Sequence, residues 1–142
     1  MAGNNFHRIT AASDVQRGDI VAIKYLNQTS GGTGHTMIAA GPAVERSPPT
    51  SPIIQDTVQY DLPIIDSTKS PHGTGDTRKG TGPDGADQDG AGLGTMRLYA
   101  DARSGQITGY TWSRSSSSVY YTATSPAEDP RSLVVGRMTF AD

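Results

Sequence analysis

The chain has 142 residues, with 12 basic and 14 acidic side chains, a formal net charge of −2, 17 glycines, 9 prolines and 34% hydrophobic residues. That balance fits one domain over residues 1–142 with a modest core and long polar loops, and lacks the basic face of a nucleic-acid binder. No apolar run reaches the ~20 residues of a membrane span, and the absence of cysteine excludes disulfides, thiolate metal sites and thiol catalysis within the chain.

Residues 1–5 show no signal-peptide pattern, and the compartment stays open. The first strand is predicted over 19–26, apolar on both faces and therefore largely buried. A glycine-rich connection leads to a second strand over 35–40, closed by Gly41-Pro42. Short loop and turn chemistry make the two an antiparallel pair. A proline-rich loop covers 44–52. A third strand is predicted over 57–66, with Pro63 weakening its middle or marking an edge. Residues 67–93 form a long glycine-rich loop, a length that points to function or to disorder. Strands over 95–100 and 106–113 are joined by a tight hairpin with Gly105 at the position that tolerates positive φ. Ser113 to Ser118 is a serine tract, and further strands fall at 119–122 and 132–140. No stretch carries a sustained helical period. The expectation is mainly β: six or seven mostly antiparallel strands in a small barrel or twisted sheet, with few or no helices.

The candidate chemistry centres on two residues. His35 opens a strand directly after a glycine-rich loop, which places its imidazole at a rim. A neutral imidazole accepts a proton near pH 7 if another group fixes its tautomer. Asp66 ends the third strand and could take the second ring N–H, giving the base and orienter of a catalytic triad.

The stretch DVQRGDIVAIKY followed by GHTMIAAG resembles the NlpC-type peptidases, bacterial cell-wall endopeptidases of the papain-like cysteine peptidase superfamily. In that family a Gly-Asp turn opens the first barrel strand, a Gly-His pair opens the next and supplies the base, and a polar residue on the following strand orients it. The resemblance covers about residues 14 to 66. It implies that Asp19 is the turn aspartate, His35 the catalytic base and Asp66 the orienter. It further implies that the chain is the β-barrel half of an α+β papain-like fold acting on peptide or peptidoglycan, with no cofactor and no metal. The family's cysteine sits on a helix before the first strand, where the helix dipole lowers its pKa. Only 18 residues precede Asp19, and no cysteine follows it. The chain is thus expected to be inactive alone, either as one half of a longer enzyme or as an inactive relative. The alternative is a non-catalytic module that binds cell-wall peptide or protein. A barrel without its covering helices exposes an apolar face, so a homo-oligomer is a further expectation.

The remaining polar residues read more plainly. His72 reads as a solvated loop histidine, and with Asp76 it offers too few ligands for a zinc site. Asp84, Asp87 and Asp89 resemble a calcium loop only in part, lack the closing Glu, and read as a polar turn. Ser13, Ser67 and the serine tract lack a nucleophile context. The aromatic set Tyr99, Tyr110, Trp112, Tyr120 and Tyr121 fits cross-strand packing as well as ligand stacking.

Overall fold

The computed structural model describes residues 5–140; residues 1–4, part of the segment without a signal-peptide pattern, lie outside it, as do 141 and 142. The chain is mainly β. Among the described residues nine strands are present: β1 (Phe6–Ile9), β2 (Ile20–Tyr25), β3 (Gly34–Ala39), β4 (Val44–Glu45), β5 (Thr57–Thr68), β6 (Gly90–Asp101), β7 (Ile107–Thr111), β8 (Tyr120–Tyr121) and β9 (Arg131–Met138). Only two single-turn 3-10 segments interrupt them among the described residues. Two strands exceed the expected number, β1 and β4. Both are short, and β4 lies inside the stretch expected as a proline-rich loop.

All pairings between these strands are antiparallel, in the order β1-β9-β2-β3-β5-β6-β7-β8, with β4 beside β5. The sheet curls into a half-barrel. Its flanks meet where the Ile107 N–H donates to the Thr10 carbonyl (2.8 Å) and the Arg131 N–H to the Thr122 carbonyl (2.8 Å). β5 and β6 form the long axis, paired from Thr57 opposite Asp101 to Thr68 opposite Gly90.

The concave face holds the core, with Val21, Ile23, Met37, Leu62, Ile64, Met96, Leu98, Tyr110 and Val135 packed together. Each such side chain contributes roughly 1.5–3 kcal/mol by leaving water. The first long strand departs from expectation here. Only Val21 and Ile23 are buried; Ile20 and Ala22, on the convex face, are half-exposed. The alternation was real, but one of its two faces has no cover among the described residues. Register places Ile20 beside Ile38, Ile38 beside Ile65, and Ile65 beside Leu93. The last three of this outer row are 47%, 44% and 46% exposed.

Pro63 does not mark an edge strand. It sits between the stretch where β5 pairs with β3 and the stretch where it pairs with β4. The missing N–H falls in that gap, and the Pro63 carbonyl still accepts from Ala40 (2.8 Å). Gly18, with φ of +92°, turns the chain into β2 in a conformation that other residues disfavour. Next to it, the buried Asp19 takes the Gln16 N–H (2.8 Å) and the Arg137 guanidinium (2.8 and 2.9 Å), pinning the start of β2 to β9. The turn aspartate therefore has a structural job in this chain.

Candidate functional site

His35 lies on the concave side of β3, in the alternation that buries Met37 and Ala39, and at the strand's open end its side chain keeps 16% exposure. β5 is the next strand in the sheet and carries Asp66 on the same side as Leu62 and Ile64. The two expected site residues meet: His35 Nε2 is 2.6 Å from Asp66 Oδ2. β5 runs two residues past Asp66, so the aspartate is held within the ladder and does not end it. A carboxylate accepts, so Nε2 is the nitrogen that donates. In the neutral ring Nδ1 then keeps the lone pair. Nδ1 takes no hydrogen bond among the described residues. The ring borders an open groove of about 600 Å³ lined with Lys24, Gly34, Thr36 and Ser67. Ser67 shares the groove but makes no hydrogen bond to His35 among the described residues.

His72 corrects the expectation of a solvated loop histidine. It is 2% exposed, and its Nε2 is 2.7 Å from the same Asp66 Oδ2. Its Nδ1 is 2.6 Å from the Trp112 carbonyl. Both nitrogens face acceptors, and only the doubly protonated ring satisfies both. The Trp112 ring stacks on His72 at 3.9 Å between centroids and meets His35 edge-on at 5.1 Å. Trp112 thus belongs to the site, while Tyr99 with Tyr120 and Tyr110 with Tyr121 are cross-strand packing pairs.

What pulls His72 inward is a buried ion cluster in the loop. Asp76 takes a bidentate pair of hydrogen bonds from Arg78 (2.9 and 2.8 Å) and also accepts the backbone N–H of His72 (2.8 Å). The Arg78 guanidinium lies 2.8 Å from Asp66 Oδ1, in ion-pair contact but off the line of a hydrogen bond. It also donates to the carbonyls of Asp66 (3.2 Å) and Gly90 (2.9 Å). The loop is thus confined to residues 69–89 and anchored, and Thr77 pairs along the free edge of β6 through Leu93 (2.9 and 3.0 Å). Space for the cluster comes from two glycines of β6. A Cβ on Gly92 would stand 2.6 Å from Arg78 Nε, and one on Gly94 would stand 2.5 Å from Asp76 Oδ2. Asp87 completes a polar turn with Lys79 and the Gly80 N–H, as expected for that acidic run.

The electrostatics follow from this wiring. Burial, the largest influence on Asp66, pushes its carboxyl up. Hydrogen bonds from His35 and His72, the His72 charge and Arg78 outweigh it and hold Asp66 well below the usual carboxylate range. The hydrogen bond from Arg78 is the main reason that Asp76 is held down at about 2. Arg78 is pushed up in turn, chiefly by Asp76. Asp66 is an anion at neutral pH, fixed in place by two histidine hydrogen bonds and the Arg78 ion pair.

His35, Asp66 and His72 also converge closely enough to be weighed as metal ligands. Their N···O separations of 2.6 and 2.7 Å are those of shared protons. Two ligands of a zinc ion with ~2.0–2.1 Å bonds stand roughly 3.3 Å apart. Arg78 against Asp66 further opposes a second positive charge. The geometry fits a proton-bridged network better than a metal centre. No helix among the described residues is long and apolar enough to cross a membrane.

The chain is similar to an uncharacterized protein, R653, of Acanthamoeba polyphaga mimivirus, with 36% identity over 141 residues that cover 95% of the chain. It spans 58% of that viral protein's length. No protein-family model matches the chain, and no solved structure matches it significantly.

Proposed function

We propose that the chain is the base-bearing half of a papain-like, NlpC-type amide hydrolase. The observation that carries this reading is the His35–Asp66 pair at 2.6 Å, with His35 among the residues that line an open groove. In this reading a thiolate from a segment outside the chain attacks an amide carbonyl. His35 Nδ1 takes the thiol proton and returns it to the leaving amine, while Asp66 keeps hold of Nε2–H and faces the imidazolium. One feature supports it: β2 and β3, the strands opened by the Gly-Asp and Gly-His motifs, are direct neighbours. Cell-wall peptide as substrate, and a bacterial source, come from the resemblance alone; the relative described above is viral.

The test uses the complete reading frame that contains this chain. Its product should cleave peptidoglycan peptides, and His35→Ala should lower kcat/KM at least ~100-fold. Residues 1–142 alone should cleave nothing. Unchanged activity in the His35→Ala protein, or hydrolysis by the isolated chain, would overturn the reading. The lack of a nucleophile in the chain favours one alternative, a binding module that uses the same groove. Retention of the isolated chain on cell walls, with no hydrolysis by the complete product, would select it.

A further inference from the structure

Arg97 on β6 is fully buried, and none of its hydrogen-bond partners is a carboxylate. Its Nε donates to Thr111 Oγ1 (3.1 Å), one terminal nitrogen to Thr50 Oγ1 (2.6 Å), and the other to the Ser115 carbonyl (3.2 Å). Neutral acceptors satisfy the N–H groups, and the carboxylate opposite it in the β5–β6 ladder, Asp61, makes no hydrogen bond to it. Burial lowers the Arg97 pKa, and the Arg46 charge lowers it further. Asp61 is the one carboxylate that bears on it, and Asp61 already serves two other arginines. Arg46 is 3.0 Å away and Arg114 is loosely placed at 4.0 Å. Three guanidiniums surround one carboxylate in a chain whose overall charge is negative.

A pocket of about 370 Å³ opens on this cluster, lined by Arg46, Thr74, Arg114, Ser115 and Ser116. Its Ser115 wall is the segment that Arg97 grips from behind. Arginine forks and hydroxyl donors around excess positive charge are the chemistry that recognises an oxyanion. We propose that this pocket binds the carboxylate or phosphate group of a ligand. Arg46 and Arg114 contact the anion, hydroxyls of Thr74, Ser115 and Ser116 donate to it, and buried Arg97 supplies the background potential. Thr74 is two residues beyond His72 and Arg114 two beyond Trp112, so the pocket is built on the same two segments as the His35 site. Its use as a subsite for an acidic substrate rests on the hydrolase reading.

The test titrates the folded chain with inorganic phosphate, with N-acetyl-dialanine and with the C-terminal amide of that dipeptide, followed by amide chemical shifts at constant ionic strength. Saturable shifts in segments 73–75 and 113–117 are expected with phosphate or with the free carboxylate, and not with the amide. Whichever of the two binds tighter names the group. Arg114→Gln, at an exposed side chain, should weaken binding at least ~10-fold, and Arg46→Gln should weaken it similarly. No saturation with either anion, or binding unchanged in both variants, would overturn the proposal. Anion binding beside a complete enzyme that hydrolyses nothing would remove the hydrolase reading alone. An active enzyme without anion binding would remove the pocket alone.

Discussion

Arg78 and Arg97 are both buried in this half-barrel, yet their surroundings differ in kind. Arg78 meets two carboxylates, Asp66 and Asp76, at 2.8 Å each. Arg97 donates to hydroxyl, amide and carbonyl oxygens, lies 5.5 Å from the centroid of the Tyr99 ring, and shares its cross-strand partner Asp61 with two other arginines. A matched buried charge fixes geometry: it seats the loop, orients Asp66 and thereby sets His35. Around Asp61, by contrast, guanidiniums outnumber the one carboxylate beside the nearest opening. The two arginines divide the molecule into a region whose charges are paired and one where cations outnumber the acid.

The sharpest way to break this comparison is Arg78→Met. It removes the guanidinium that Asp66 and Asp76 share and should cost about 3–5 kcal/mol in urea denaturation. A loss below about 1 kcal/mol would mean that the cluster is not structural. Acid is the next lever. Asp66 and Asp76 both have depressed folded-state values, so the stability they confer is complete above the unfolded value and is lost as pH falls. For Asp76 the window runs from 3.8 down to about 2 and carries on the order of 2 kcal/mol. Stability measured from pH 7 to pH 2 should stay level in this contribution above about 5 and fall below about 4. That fall should shrink in Arg78→Met, which removes the main cause of the Asp76 depression and leaves the His35 and His72 hydrogen bonds on Asp66. The smallest effect belongs to Arg97→Met, which removes one of the cations around Asp61 while it orphans the acceptors of Thr50, Thr111 and Ser115. A loss of about 1–2 kcal/mol is expected. If Arg97→Met costs more than Arg78→Met, the assignment of roles is reversed.

The sheet was legible in the sequence to different degrees. β2 and β3 announced themselves through apolar runs bounded by glycines, and the rim position of His35 followed from its place at a strand start. Asp66 could be matched to it because both residues belong to strands that a short meander brings together. β1 and β4 were missed because Phe6–Ile9 and Val44–Glu45 are too short for periodicity to register, and their pairing depends on β9 and β5. His72 was missed for a different reason. Ser70-Pro71-His72-Gly73 has the local chemistry of a solvated turn, and its burial is decided by Arg78 six residues on and by two glycines a further fourteen and sixteen along. A signal existed in the alternation Gly90-x-Gly92-x-Gly94: glycine at every second position of a strand marks a face that another segment approaches.

Trp112 is the sole tryptophan of the chain, and it lies face-on to His72 and edge-on to His35. Indole emission from this protein therefore originates at one place, within van der Waals reach of the imidazole pair. Any rearrangement of the two rings, or occupancy of the space beside them, is reported optically without a label and without background from elsewhere in the fold.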